Sequence, residues 1–174
     1  TLEQAGTALK NKDSGAFLSQ FDMQAYAAHE FANLKQSNQL LSGLDSMGKM
    51  LGLGSQVNDL INSIIDLQGR YTDTFTRTVA SGELQDQCSK ALASAEVREL
   101  NETAAVAKVT TPANMTSWIA LRKHNDQWKI VGKATLQDTA ETFANDASPV
   151  PPANKETQLN VPEKENSAPG AANL

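Results

Sequence analysis

Residues 117–136 read SWIALRKHNDQWKIVGKATL, and this stretch decides the fold. Apolar and polar side chains alternate on both sides of Asn125-Asp126, a residue pair typical of tight hairpin turns. The pattern predicts two antiparallel strands, Ser117 to His124 and Gln127 to Leu136. With a two-residue loop, the predicted register pairs His124 with Gln127, Leu121 with Ile130 and Ile119 with Gly132.

This register divides the hairpin into two faces. The apolar face, which helices are expected to cover, carries Ile119, Leu121, Trp128 and Ile130. The other face is predicted to be open and basic, although the whole chain has a net charge of −5. Such a face is either a solvated sheet surface or an interface with a second copy or another protein, because an exposed Trp is a common interface anchor. The candidate interface residues are Trp118, Arg122, Lys129, Val131 and Lys133.

Upstream of the hairpin, the residues Glu96 to Leu100 and Ala104 to Thr111 predict two further strands. Residues 1 to about 92 instead place apolar side chains at helical spacing. Helices followed by an antiparallel sheet of about four strands are the signature of the α+β class. Three polar residues are predicted to cap the starts of the first helices: Thr1, Asp13 and Asp22.

The longest predicted helix begins after Ser55, and its apolar stripe runs from Val57 to Val79. A shorter helix is predicted from Leu84 to Leu92. Between the early helices and the long one, the segment from Leu40 to Gly54 mixes four glycines with Leu and Met. Because each glycine weakens a helix, this segment is predicted to be loose: a connection between helices, or a flap or docking segment.

Composition separates a folded part from a tail. Residues 1–145 are predicted to form a single α+β domain, for which the length is sufficient. Residues 146–174 are predicted to be a disordered tail rich in Pro, Ala and Asn. Five of the six prolines lie between Pro149 and Pro169, and large apolar side chains are scarce there. Such a tail cannot bury enough surface to offset its ordering entropy.

Charge and hydropathy exclude several classes of protein. The net charge of −5 argues against nucleic-acid binding. No run of about 18 apolar residues is present, so no transmembrane segment is expected. Because the sequence starts at Thr1 rather than Met, we expect that a leader has been removed. The content of Thr, Asn, Gln and Ser fits a protein of the bacterial cell envelope or periplasm, with a cytoplasmic location left open.

The sequence contains no group of residues with the spacing of a known catalytic motif, so no catalytic residue is assigned. One Cys and two His residues cannot build a closed zinc site without carboxylates, and neither a metal nor a cofactor is expected. Cys88 is predicted to be a buried or half-buried thiol, whereas His29 and His124 are predicted to be solvated. Three residues are candidates for lining a pocket between helices and sheet: Tyr26, Asp66 and Tyr71.

Three stretches carry a resemblance to known proteins. Residues 8–22 read ALKNKDSGAFLSQFD, residues 57–61 read VNDLI and residues 127–132 read QWKIVG. Together they resemble an uncharacterised bacterial envelope family of unknown function. The order of helices and a sheet ending in Trp-Lys-Ile-Val is similar to the nuclear-transport-factor-like (cystatin-like) cone. The resemblance implies a curved sheet and an envelope location, and no catalytic set of that superfamily matches this chain.

Two functions therefore stay open. The first is a non-catalytic domain of the bacterial envelope that binds a small apolar ligand or a protein partner. The alternative is a small-molecule isomerase or hydrolase that acts in the cavity of the cone, with Asp66, Tyr71 or Tyr26 as acid or base. The binding function is preferred because a fold resemblance alone does not establish catalysis.

Overall fold

The computed structural model describes residues 1–37, 66–83, 85–111 and 113–146. The predictions for Leu40 to Gly54, for most of the long helix before Asp66 and for residues 147–174 lie outside these ranges. The described helices are α1 (Leu2–Lys10), α2 (Ser14–Leu18), α3 (Met23–Ser37), α4 (Leu67–Ser81), α5 (Gln85–Ala93) and α6 (Gln137–Asn145). The described strands are β1 (Glu96–Glu99), β2 (Ala104–Thr110), β3 (Thr116–His124) and β4 (Gln127–Ala134).

The four strands form one antiparallel sheet in the order β1-β2-β3-β4. Helices pack against this sheet, so the predicted α+β class is confirmed. Each strand expected from the period-two stretches is present at the expected place. The cone shape implied by the resemblance stays a prediction.

The hairpin turn between β3 and β4 has the predicted two-residue loop. Asn125 and Asp126 have φ values of 48° and 61°, the left-handed backbone of a type I′ turn. The predicted pairs His124–Gln127 and Leu121–Ile130 are confirmed. The third predicted pair is wrong, because Gly132 lies opposite Ala120 and not opposite Ile119.

A β-bulge causes this difference in register. Gly132 pairs with Ala120 and Ile130 pairs with Leu121, so Val131 is the extra residue on β4. Beyond the bulge, Lys133 lies opposite Ile119. Opposite residues share a face, so Lys133 lies on the Ile119 face and its predicted place on the other face is wrong.

One face of the sheet is covered by the N-terminal helices and α4, as expected. Its core contains the predicted strand residues Leu121 and Ile130, with Ile119 and Trp128 packed against them. The helices contribute the buried residues Leu2, Ala5, Ala8, Leu9, Phe17, Tyr26 and Val79. The first of the two predicted faces is therefore confirmed as the core face.

The second face is not open, because α6 covers it. Ala140, Phe143 and Ala144 of α6 are buried, and they pack with Val106, Ala120 and Val131 of the sheet. Val131 is only 1% exposed. The prediction of an open basic face is wrong: α6 is only nine residues long, and its single large apolar side chain, Phe143, gives a weak sequence signal.

Side-chain caps begin two of the early helices as predicted. Asp13 Oδ1 accepts a hydrogen bond of 2.9 Å from the backbone of Ala16, and Asp22 Oδ1 accepts one of 3.0 Å from Ala25. Thr1 makes no such cap. Its hydroxyl instead donates to the carbonyl oxygen of Trp128 at 2.9 Å, which ties the start of α1 to β4.

Helix α4 begins after Asp66, so the prediction of one helix continuing from Ser55 is wrong at this residue. Its φ and ψ of −66° and 76° are not helical, and its Oδ1 accepts a hydrogen bond of 2.8 Å from the backbone N–H of Gly69. The apolar stripe beyond it is present. Tyr71, Phe75 and Val79 of α4 all belong to or pack against the core.

Substitution of Phe143 tests how much the packing of α6 on the sheet contributes to stability. We expect Phe143→Ala to lower the free energy of unfolding by about 3–5 kcal/mol, because it empties a buried aromatic site. It should also shift the fluorescence of Trp118, which packs against the same cluster. Urea unfolding followed by Trp fluorescence measures both effects.

The matched control is Thr142→Ala, since Thr142 lies beside Phe143 in sequence but is exposed. It should change the unfolding free energy by less than about 0.5 kcal/mol. A Phe143→Ala variant as stable as this control would contradict the packing of α6 on the sheet.

Candidate functional site

Five aromatic rings meet between the helices and the first face of the sheet. This aromatic cluster consists of Phe17, Phe21, Tyr26, Tyr71 and Phe75, supplied by α2, the turn after it, α3 and α4. The centroids of neighbouring rings are 5.0–6.1 Å apart, in tilted or edge-to-face geometry. Phe17 and Tyr26 are buried, whereas the other three rings are half-buried. The cluster thus has a packed floor and a partly accessible surface.

Two of the three predicted pocket residues belong to this cluster. Tyr26 is 6% exposed, and its ring lies 5.6 Å from the ring of Tyr71. Asp66, the third, is exposed, and its carboxylate caps α4. The helix cap therefore accounts for the polar contact of Asp66, and the structure does not join it to the two tyrosines.

The carboxylate that reaches Tyr71 is that of Glu30 on α3. The Tyr71 hydroxyl donates to Glu30 Oε2 at 3.3 Å, across the contact between α3 and α4. Sequence reasoning missed Glu30 because the pairing depends on how these two helices cross. One signal was present: Glu30 follows Tyr26 by four residues, so both lie on one side of a helix.

Burial shifts the pKa values of Glu30 and of the two neighbouring tyrosines. It raises the pKa of Glu30 above its ordinary value of 4.5, and the hydrogen bond from Tyr71 and the charge of Lys133 offset the rise only in part. Burial and the charge of Glu30 also raise the pKa values of both Tyr26 and Tyr71. Both phenols therefore stay protonated at neutral pH, and Tyr71 can act as a hydrogen-bond donor.

His29 forms a second polar site that the sequence did not indicate. The prediction of a solvated His29 is wrong, since the residue is 6% exposed. Its Nδ1 lies 2.7 Å from the carbonyl oxygen of Val131, and its Nε2 lies 3.4 Å from Asp146 Oδ2. The ring stacks on Phe143 with centroids 4.3 Å apart and an interplanar angle of 9°.

The role of His29 is structural. A carbonyl oxygen can only accept, so Nδ1 carries the hydrogen, and Nε2 points at the carboxylate of Asp146. His29 therefore links α3 to the bulge in β4 and to the end of α6. Of the predicted tail, residues 146–174, only Asp146 lies within the described ranges, so the tail stays a prediction. The sequence signal was weak: α3 buries side chains toward both sheet faces, which hides a single apolar stripe.

The candidate interface residues are dispersed. Val131 lies under α6, and Trp118 is half-buried against the same cluster. Arg122 and Lys129 are half-buried and opposite each other, and Lys129 Nζ donates to the carbonyl oxygen of Ser19 at 2.6 Å. Lys133 is exposed but lies on the other face. The interface prediction assumed that this sheet face is open, and α6 removes that basis.

The two other residues considered for chemistry are placed as expected. Cys88 is half-buried, and burial raises the pKa of its thiol. His124 is exposed beside the hairpin turn. Within the described ranges, no group of three or more His, Cys, Asp or Glu side chains is arranged to hold a metal ion. None of the described helices is long and apolar enough to cross a membrane.

Comparison of the chain with models of protein families, with curated proteins and with solved structures finds no match. The resemblance to an envelope family therefore stays a prediction. The functional argument depends on the aromatic cluster and on the Tyr71–Glu30 pair beside it.

The raised pKa of Glu30 predicts a pH dependence of stability. The folded state holds the Glu30 proton more tightly than the unfolded state, so this contribution is fully present below about pH 4.5. It is lost as the pH rises through the raised pKa of the folded protein. Glutamine cannot ionise. We therefore expect Glu30→Gln to gain stability relative to the unaltered protein as the pH rises from about 4.5 through the raised pKa of Glu30. Urea unfolding from about pH 4 to about pH 8 measures the difference.

Tyr71→Phe is the control at the same site. It keeps the Glu30 carboxyl but removes the hydrogen bond that lowers the pKa of this group. The contribution of Glu30 to stability should therefore be lost at a higher pH than in the unaltered protein. A stability difference between Glu30→Gln and the unaltered protein that stays constant over this pH range would contradict the prediction.

Proposed function

We propose that this chain is a non-catalytic domain of the bacterial cell envelope that binds an apolar group on the aromatic cluster. The group is a small apolar ligand or an apolar side chain of a protein partner. The observation that carries the proposal is the exposure of the cluster: Phe21, Tyr71 and Phe75 are half-buried above the buried rings of Phe17 and Tyr26. Aromatic rings in this arrangement offer a rigid apolar surface.

The polar groups beside the cluster suit recognition. Tyr71 and Glu30 supply one hydroxyl and one carboxylate at the edge of an otherwise apolar surface. Ligand sites commonly combine apolar walls with a few polar groups that fix orientation. An apolar ligand with one hydrogen-bonding end could contact the aromatic rings and also bond to Tyr71 or Glu30.

A pair of Tyr71 variants separates the ring from the hydroxyl. The neutral fluorophore N-phenyl-1-naphthylamine serves as the apolar probe, and its fluorescence titration gives an affinity. We expect Tyr71→Phe to bind it as well as the unaltered protein, because the ring is kept. Tyr71→Ser should weaken binding by about 2- to 10-fold, as expected for the loss of one aromatic contact.

Asp73→Ser provides the matched control, because Asp73 lies on the same helix and is exposed. It should leave the affinity for the probe unchanged. Equal affinities for Tyr71→Ser and this control would contradict binding on the aromatic cluster.

The alternative is a small-molecule isomerase or hydrolase, with Glu30 in the role first considered for Asp66. The observation that favours it is the contact between a Tyr hydroxyl and a carboxyl group whose pKa is raised, since such groups suit acid–base chemistry near neutral pH. Loss of turnover of p-nitrophenyl esters in both Glu30→Gln and Tyr71→Phe, with probe binding retained, would support the enzyme. Equal rates in all three proteins would contradict it.

The envelope location is a separate part of the proposal. It is supported by the sequence resemblance and by a composition rich in Thr, Asn, Gln and Ser. Fractionation of cells that make the natural gene product tests it. Recovery in the periplasmic or membrane fraction is expected, and recovery in the cytoplasm would contradict it.

A further inference from the structure

The strand β1 lies at the end of the strand order, and all four of its residues are exposed. Among the described residues, it pairs with β2 alone. Val97 at its centre is 56% exposed. The opposite edge is different: Ile130 of β4 exchanges backbone hydrogen bonds with Gln20 and Asp22. An edge with unpaired backbone groups can accept another strand.

The register shows which backbone groups of β1 point outward. Leu100 donates its N–H to the carbonyl oxygen of Ala104, so even-numbered residues of β1 face β2. The hydrogen bond from Lys123 to Thr103 places odd-numbered residues of β2 toward β3, in agreement with this alternation. Val97 and Glu99 therefore direct their N–H and C=O groups away from the sheet. Among the described residues, none bonds to these groups.

The side chains of β1 alternate between the two faces. Arg98 contacts Glu141 of α6, and Glu96 Oε2 lies 4.0 Å from Lys108 Nζ, so Arg98 and Glu96 are on the α6 face. Val97 lies opposite Ala107, which belongs to the core of the other face. The edge thus presents a valine between a negative and a positive residue.

We propose that β1 pairs antiparallel with β1 of a second copy of this chain, with Val97 on the two-fold axis. In this register Val97 lies opposite Val97 of the second copy, and their outward N–H and C=O groups bond to each other. Glu96 lies opposite Arg98 of the second copy, and Arg98 opposite its Glu96. The two four-stranded sheets then form one continuous sheet.

The charge pattern of β1 selects this register over its neighbours. An axis at Glu96, Arg98 or Glu99 also matches outward backbone groups, but it places each of those residues opposite the same charge in the second copy. Like charges directly opposite each other are unfavourable, whereas opposite charges are favourable. Only the axis at Val97 gives opposite charges on both sides.

The neighbouring charges extend the same complementarity. Across the axis, the α6 face carries Lys108, Glu96, then Arg98 and Glu141 of the second copy, in alternating sign. A partner with an unrelated sequence would need this same alternation. The strand is also short and mostly charged, which disfavours pairing with arbitrary strands.

Charge variants of the full chain test the proposal by sedimentation velocity from about 1 µM to about 500 µM. The unaltered chain should form a dimer at the upper end of this range. Arg98→Glu and Glu96→Arg should each be monomeric, because each places like charges opposite one another twice. Mixed together, the two variants should form a heterodimer, because the arginines at positions 96 and 98 of one variant then face the glutamates at positions 98 and 96 of the other.

Val97→Pro provides an independent variant. Its N–H points outward and takes no part in pairing with β2, so the fold should be retained while dimerisation is lost. Circular dichroism checks that each variant is folded. A monomer for the unaltered chain at every concentration, single charge variants that still dimerise, or a mixture that stays monomeric would each overturn the proposal.

Discussion

The hydrogen bond between His29 and the carbonyl group of Val131 is the constraint on which the packing of helices on both faces of the sheet depends. Val131 is the extra residue of the β4 bulge, so no residue of β3 lies opposite it. His29 Nδ1 lies 2.7 Å from its carbonyl oxygen, in a site where an unpaired buried polar group would cost about 1–3 kcal/mol. The residue after Val131 has to be a glycine, because a Cβ added at Gly132 would lie 2.9 Å from Phe143 Cδ2 and 3.2 Å from His29 Nδ1. One bulge thereby joins α3, β4 and α6.

The sequence predicted the sheet well because its signals are local. Alternation, the Asn125-Asp126 turn and the caps at Asp13 and Asp22 each depend on residues close together in the chain. The bulge is different, since it is stabilised by His29, about 100 residues away. A single extra residue on β4 reverses the face of Lys133, and no local pattern announces it. The covering helix α6 was missed for a related reason: most of its buried residues are alanines, which a pattern of large apolar side chains does not show.

The candidate site was predictable only in its aromatic part. Tyr71 lies on the predicted apolar stripe from Val57 to Val79, and that stripe places its ring against the core whatever the details of packing. Which carboxylate accompanies the tyrosines depends on the crossing of α3 and α4, and the sequence placed Asp66 on the polar side of one long helix. In the structure Asp66 instead stands at the start of α4, where its side chain caps that helix. Glu30 is half-buried and accepts a hydrogen bond from the Tyr71 hydroxyl, so its carboxyl group, and not that of Asp66, belongs to the candidate site.

The contacts of α1 have a consequence for the order of folding. This first helix packs mainly against α5, and Thr1 bonds to Trp128, 127 residues further along the chain. During synthesis, α1 has no complete set of partners until almost the whole domain has been made. Closing such long loops early costs entropy, so we expect folding to be slow and post-translational. Until those partners are made, the apolar side of α1 is available to cellular factors that act on nascent or unfolded proteins.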